Sequence, residues 1–372
     1  MSTWKKFFLP MAIGSFLLIN HSLLMAQQTT QSSSYLFNDS HFHLTNYIQE
    51  GTEISKFLEI MGDKVGRVAL FGIPLQQMHS YDNSGSFRPT YYLQSDAPLY
   101  YYSFTDAFIA MAYKSLSSEQ QKRFDPMITG FNPADMYGVD HIRRVLRTFP
   151  GVFSGIGEFT IHKEFVSSKV AGGVASLTNP ALDSILHFAG QAGLLVLLHC
   201  DIDQPFQAAG NEPIYLTQMR DLISRHPNTT LIWAHTGLGR VVHPVQSGTS
   251  ANSPINPNHL ELLEKAVSYP EFDNLYFDIS WDEVAKYIVA SPESISKSAA
   301  LINAHPERFL FGTDVVAPAN EEVYMRVYRI YQPLWEALTP KARELVTLGN
   351  YERLFDDANK KVRAWEDKHL NR

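Results

Sequence analysis

The chain has 372 residues, 45% hydrophobic and 19% charged, with a formal net charge of −7. This is globular composition with enough apolar mass for a large core. A net negative chain lacks the basic surface of a nucleic-acid backbone binder, and a single cysteine, Cys200, excludes an intramolecular disulfide.

Lys5 and Lys6 precede an apolar run from Phe7 to Ile19, interrupted by Pro10 and Gly14, and a second short run ends at Ala26. The run is shorter than the roughly 20 apolar residues of a spanning helix, so the pattern predicts a cleaved secretory signal over residues 1–26. Cleavage removes two lysines and takes the formal charge from −7 to −9. Residues 27–34 are rich in Gln, Thr and Ser and read as a linker. Residues 35–372 are then expected to form a single domain of an exported, periplasmic or secreted protein.

The first strand closes on Asp39-Ser40-His41-Phe42-His43. Strand alternation puts His41 and His43 on one face and Phe42 on the other, so the two imidazoles can share one metal. A helix over Glu53–Met61 and a strand over Val65–Ile73 follow. The stretch from Leu75 to Ser103, dense in tyrosine from Tyr91 to Tyr102, reads as a long loop. Phe104–Phe124 is a predicted helix, Pro126–Phe131 a strand, Met136–Phe149 a helix and Gly151–Glu158 the fourth strand. After an irregular stretch over Thr160–Ala175, Asn179-Pro180 starts a helix with a cap and a proline in suitable places. Leu194–His199 is short and aliphatic, as in a strand buried on both faces. Helix Ile214–Arg225, strand Thr229–Ala234, helix His259–Val267, strand Asn274–Ile279, helix Asp282–Ile302 and strand Arg308–Gly312 complete the alternation before further C-terminal helices. Eight strand-then-helix units predict a (β/α)8 barrel with long loops after strands 2, 4 and 6. No glycine-rich nucleotide fingerprint follows any strand, which counts against an open doubly wound sheet.

Barrel enzymes place their chemistry at strand C-termini. Those positions here hold His41, His43, Glu158, His199, His235 and Asp314. Histidines joined by carboxylates suit a divalent transition metal, most simply zinc, and a metal also gives the two buried acids a partner. Asp278 on strand seven is a candidate for orienting a ligand histidine. His162, Glu164, Trp281 and Arg240 are further candidates near the mouth. Cys200 faces away from His199 and reads as a buried small residue.

Asp-Ser-His-Phe-His at 39–43, Gly-Ile-Gly-Glu at 155–158, Leu-Leu-His at 197–199, Trp-Ala-His-Thr-Gly at 233–237 and Pro-Glu-Arg-Phe-Leu-Phe-Gly-Thr-Asp at 306–314 resemble the amidohydrolase superfamily, in its amidohydrolase-related branch. Gly349-Asn350 with Arg353-Leu354-Phe355 resembles the closing helix of that branch. The resemblance implies a barrel holding one or two divalent ions. It implies that His41, His43 and Asp314 bind the more buried ion, and that His199 and His235 bind a second or act as ligand and substrate partner. Glu158 stands where many relatives carry a carboxylated lysine, and Lys163 lies too far along to replace it. The implied reaction is hydrolysis of a small ester, lactone, amide or phosphoester, with Asp314 and His235 as catalytic residues. Non-oxidative decarboxylation of a small acid is the alternative, and a metal-containing protein that binds without turnover is a third reading. The expected partner is a small-molecule substrate, with no nucleic acid and, once the signal is cleaved, no membrane; a homo-oligomer is left open.

Overall fold

The aliphatic runs of the sequence become parallel strands covered on both faces. A computed structural model describes residues 35–372 apart from 79–81, 83–84, 86–91, 173–174, 203–211, 241, 243, 246–257, 271 and 371–372. The expected signal and linker lie outside the described residues, as does Tyr91. The strands are β1 (Phe37–His43), β2 (Val65–Phe71), β3 (Leu75–Gln77), β4 (Leu99–Tyr101), β5 (Phe124–Ile128), β6 (Gly155–His162), β7 (Leu195–Cys200), β8 (Leu231–Trp233), β9 (Leu275–Asp278), β10 (Phe309–Leu310) and β11 (Val315–Val316). All except β3 and β4 form one parallel sheet in the order β11-β1-β2-β5-β6-β7-β8-β9-β10.

This is the predicted (β/α)8 barrel, with its eighth strand in two pieces. β10 pairs with β9, and β11 pairs with β1. Between them, Ser40 N donates to Phe311 O at 3.1 Å and Asp314 N to His41 O at 2.8 Å, which closes the barrel. Gly312 sits in that seam, where an added Cβ would lie 2.8 Å from His41 Cβ and 3.0 Å from Ser40 Oγ. Asp39 locks the same junction. Its Oδ1 accepts from His41 N and Thr313 N at 3.0 and 2.8 Å, and its Oδ2 from Thr313 Oγ1 and Tyr324 OH at 2.6 and 2.9 Å.

Alternation along β1 sends Phe42 outward, stacked on Phe57 with ring centroids 3.9 Å apart, while the His41 and His43 rings lie together at 5.2 Å. The barrel interior is filled by Ala69, Phe71, Met127, Leu195, Leu197, Ile232 and Leu310, with Tyr351, Leu354 and Phe355 against them. These last three belong to the helix Asn350–His369, which plugs the end opposite the site. There Asp125 accepts from Arg67, Tyr351 OH and Asn359 Nδ2, the latter two at 2.7 Å.

Several boundaries differ from the sequence expectation. β6 runs four residues past Glu158 to His162, with two register irregularities against β7 that let a longer chain follow a shorter neighbour. The long helix expected over Asp282–Ile302 is two, Asp282–Ile288 and Pro292–Ala304, because Ser291 caps a new start before Pro292. The helix expected over Phe104–Phe124 ends at Lys114, and the strand placed at Pro126–Phe131 begins at Phe124. The tyrosine-rich stretch contains the antiparallel ribbon β3–β4 rather than loop alone. Among the described residues no helix is long and apolar enough to cross a membrane.

Gly312→Ala is expected to destabilise the protein by about 1–3 kcal/mol, since the seam must open to admit the methyl group. Urea unfolding of the metal-free protein measures this, and an unchanged midpoint would show that the seam has slack.

Candidate metal centre

Five strands of the barrel bring donors together near its axis. His43 Nε2 lies 3.1 Å from Glu158 Oε2 and 3.2 Å from Asp314 Oδ1. His41 Nε2 lies 3.6 Å from Glu158 Oε2 and 3.4 Å from Asp314 Oδ1. Donors about 2.0–2.2 Å from a common ion stand about 3.0–3.5 Å from one another at tetrahedral or octahedral angles, so these four atoms match the coordination shell of one ion. A second group shares Glu158 through its other oxygen: His235 Nε2 is 3.4 Å from Oε1 and His199 Nδ1 2.5 Å. That last distance is a direct hydrogen bond, too short for two ligands of one ion.

The surrounding hydrogen bonds fix which ring nitrogen is free. His41 Nδ1 donates to Asp278 Oδ2 at 2.9 Å. Ser280 Oγ donates its only proton to Asp278 Oδ1 at 2.5 Å, so His235 Nδ1, 2.8 Å away, must donate to Ser280. In both rings Nε2 is therefore the nitrogen left facing the axis. Each is buried without a hydrogen-bond partner, as a metal ligand would be. Asp278 also accepts from His235 N at 2.7 Å, so one carboxylate orients two imidazoles. His199 is held from behind by Asp201 Oδ1, 2.9 Å from its Nε2.

Backbone strain collects here. His235, Thr236 and Gly237 are three successive left-handed residues, and Trp281 and Asp314 also have positive φ. Left-handed turns cost L-residues roughly 1–2 kcal/mol each, and the hydrogen bonds of Asp278 and the closure at His41 offset that cost.

The electrostatics follow from the same contacts. Burial alone would raise Glu158, but Lys163, the hydrogen bond from His199 and the nearby imidazoles of His235 and His41 hold it well below the usual carboxylate range. Asp314, also pushed up by burial, is held low by the imidazoles that surround it, His235, His41 and His43. Burial lowers His41, yet Asp278, Asp314 and Glu158 raise it well above the usual imidazole value. His235 alone of the four histidines ends lowered, with burial as the main cause, and stays neutral.

All six predicted site residues converge. Asp278 proves to be the orienting carboxylate. His162 stands apart, stacked on Tyr215 with centroids 4.4 Å apart, and Glu164 accepts from Arg240 N at 3.1 Å rather than reaching the cluster. Sequence reasoning missed Asp201, although it lies two residues from His199 on the same face, and Ser280, two residues from Asp278. It also missed Lys163 as a cavity residue, because β6 continues beyond Glu158. Above the cluster opens a cavity of about 570 Å³, bordered by Tyr47, Tyr92, Lys163, Arg240 and Trp281.

The amidohydrolase sequence profile matches residues 39–356. The chain belongs to the amidohydrolase family. This amidohydrolase is a metal-dependent enzyme of the hydrolase type, with a donor set fitted to the ion on the geometry above. No curated protein sequence matches it significantly. Among solved structures it is similar to a putative 2-pyrone-4,6-dicarboxylic acid hydrolase from Pseudomonas putida, at 12% identity and TM-score 0.50, covering 87% of this chain and 98% of that one. A probable 2-pyrone-4,6-dicarboxylic acid hydrolase from Acinetobacter baumannii gives 12% identity and TM-score 0.51, covering 86% and 99%. An uncharacterized TIM-barrel protein from Bordetella bronchiseptica gives 14% identity and TM-score 0.50, covering 86% and 99%. At these identities the likeness is one of fold.

Asp278→Asn is expected to weaken metal binding by about 10- to 100-fold, because an amide cannot accept from His41, His235 N and Ser280 together. Competition against a chromogenic chelator measures it, and wild-type affinity in the variant would remove Asp278 from this role.

Proposed function

We propose that this centre hydrolyses a small ester, lactone, amide or phosphoester, with zinc as its ion. The observation that carries the reading is the split use of Asp314. Its Oδ1 stands among the ligand atoms, 3.2 Å from His43 Nε2, while its Oδ2 lies 4.0 Å from His235 Nε2. One oxygen can ligate while the other receives a proton. A divalent ion held there supplies Lewis acidity and brings the pKa of its water down to about 7. Asp314, ionised because the histidines hold its pKa low, takes the proton from the attacking water and returns it to the leaving group. His235, neutral and with its Nδ1 donating to Ser280, presents an Nε2 lone pair, which favours a ligand role over one as hydrogen-bond donor to the oxyanion.

The ions bind unequally in this reading. The His41, His43, Glu158 and Asp314 group fills first. The group of Glu158, His199 and His235 fills only when the proton between His199 Nδ1 and Glu158 is lost. Asp201 and Glu158 raise the His199 pKa, against burial and Lys163, so that second step is suppressed at low pH. The signal-like residues 1–26 support export of the enzyme.

Chelation should abolish ester or lactone turnover and zinc should restore it. Asp314→Asn should lower kcat by about 100- to 10,000-fold with an unchanged circular dichroism spectrum, and a fully active variant would sink the proton-transfer role. Zinc content should rise from about one ion per chain at pH 6 towards two at pH 8, and a constant stoichiometry would overturn the unequal sites. Carbon dioxide release from an acid substrate would instead make the enzyme a lyase, and zinc without any turnover would make it a binding protein.

A further inference from the structure

The cavity over the metal ligands holds a positive charge that the ligand set leaves unbalanced. Lys163 follows directly on β6 and lines this cavity with His43, Glu158 and Asp314. Among the described residues its ammonium has no hydrogen bond and no carboxylate within 4.0 Å. Tyr47, Glu158, Asp314 and Tyr92 act on it electrostatically, as does Asp201, which is itself paired with His199 at 2.9 Å, and its Nζ lies 5.5 Å from the centroid of Trp281. Without metal, Glu158 and Asp314 offset this charge from a distance. A divalent ion bound by those same two carboxylates is neutralised by them, and Lys163 is then left uncompensated in a largely enclosed site. An unpaired ammonium on a half-buried side chain is partly desolvated, so the loaded site favours an anion beside it.

The other charges at the mouth are already engaged. Asp282 and Glu283 pair with Lys286 at 2.9 and 3.2 Å, and Arg326 reaches Asp282 at 3.4 Å. Arg240 lies over Trp281, its Cζ 5.0 Å from the ring centroid, and its backbone is held by Glu164. Trp281 thus presents one aromatic wall with a cation to each of two neighbours, and its strained φ of 77° fixes it there.

We propose that Lys163 anchors a carboxylate carried by the substrate, away from the bond that is cleaved, with Trp281 as the wall beside it. One uncompensated ammonium balances one negative charge, as a carboxylate carries, whereas a phosphate monoester carries about −1.5 to −2. The proposal rests on the hydrolytic reading only for where the cleaved bond lies; the anchoring itself is a statement about binding.

Isothermal titration calorimetry on the zinc-loaded full chain tests it, with benzoate, phthalate and glutarate each run against its amide, and with inorganic phosphate. At least one acid should bind, its amide should not, and Lys163→Met should weaken that acid by about 10- to 100-fold while Lys163→Arg recovers part of the loss. Zinc content and thermal unfolding check that the variants are folded, and the acid-against-amide comparison needs no variant. Binding of no acid, equal binding of acid and amide, Lys163→Met binding like the wild type, or phosphate binding as tightly as the best acid would each overturn the anchor. An absence of ester and lactone turnover in the wild type would sink the hydrolytic reading and leave these isotherms unaffected, so the two failures are distinct.

Discussion

Glu158 is the constraint on which the rest of the site depends. It is a buried carboxylate with an imidazole from each of four chain positions around it: His41 and His43 on one oxygen, His199 and His235 on the other. Such a group is tolerable in a barrel interior only if every oxygen is met by positive charge or a donor. That need dictates what stands around it, and each surrounding imidazole must in turn be held by something behind it. Asp278, Ser280 and Asp201 are the answer to that second need. The centre is therefore two concentric layers, with an acid at the middle and acids again at the rim.

Strain shows how much the layers must supply. A β-strand ending in three left-handed residues, as β8 does at His235, Thr236 and Gly237, is a poor local choice for the backbone. The turn persists because it delivers His235 N to Asp278 and His235 Nε2 to the axis at once. Asp314 follows the same logic: its positive φ accompanies the hydrogen bond from its own N to His41 O, so the residue that joins the two halves of the eighth strand is also one that points into the site.

Most of this was legible in the sequence because it is periodic. Eight short apolar runs identify the strands and their C-terminal ends, and five of those ends supply the six residues that meet. What sequence reading lost was everything set by irregularity. The register shifts that carry β6 on to His162 have no signature in residue type, so Lys163 was placed in a loop rather than at the cavity. The break at Ser291-Pro292 was legible but was outweighed by the apolar spacing on either side of it. Asp201 and Ser280 could have been found by extending the two-residue alternation past His199 and Asp278, which requires trusting the strand geometry beyond the last apolar residue.

The two-piece eighth strand has a consequence for how the enzyme comes into being. β1, with His41 and His43, pairs with the segment that contains Asp314, about the largest sequence separation the fold offers. A nascent chain therefore carries His41, His43 and then Glu158 well before Asp314 has been made. Once that segment docks, an ion held by His41, His43 and Asp314 would clamp the first strand to the last, and by binding only the folded chain would stabilise it. In a protein with one buried cysteine and no disulfide open to it, such an ion would do what a bridge between distant segments does elsewhere.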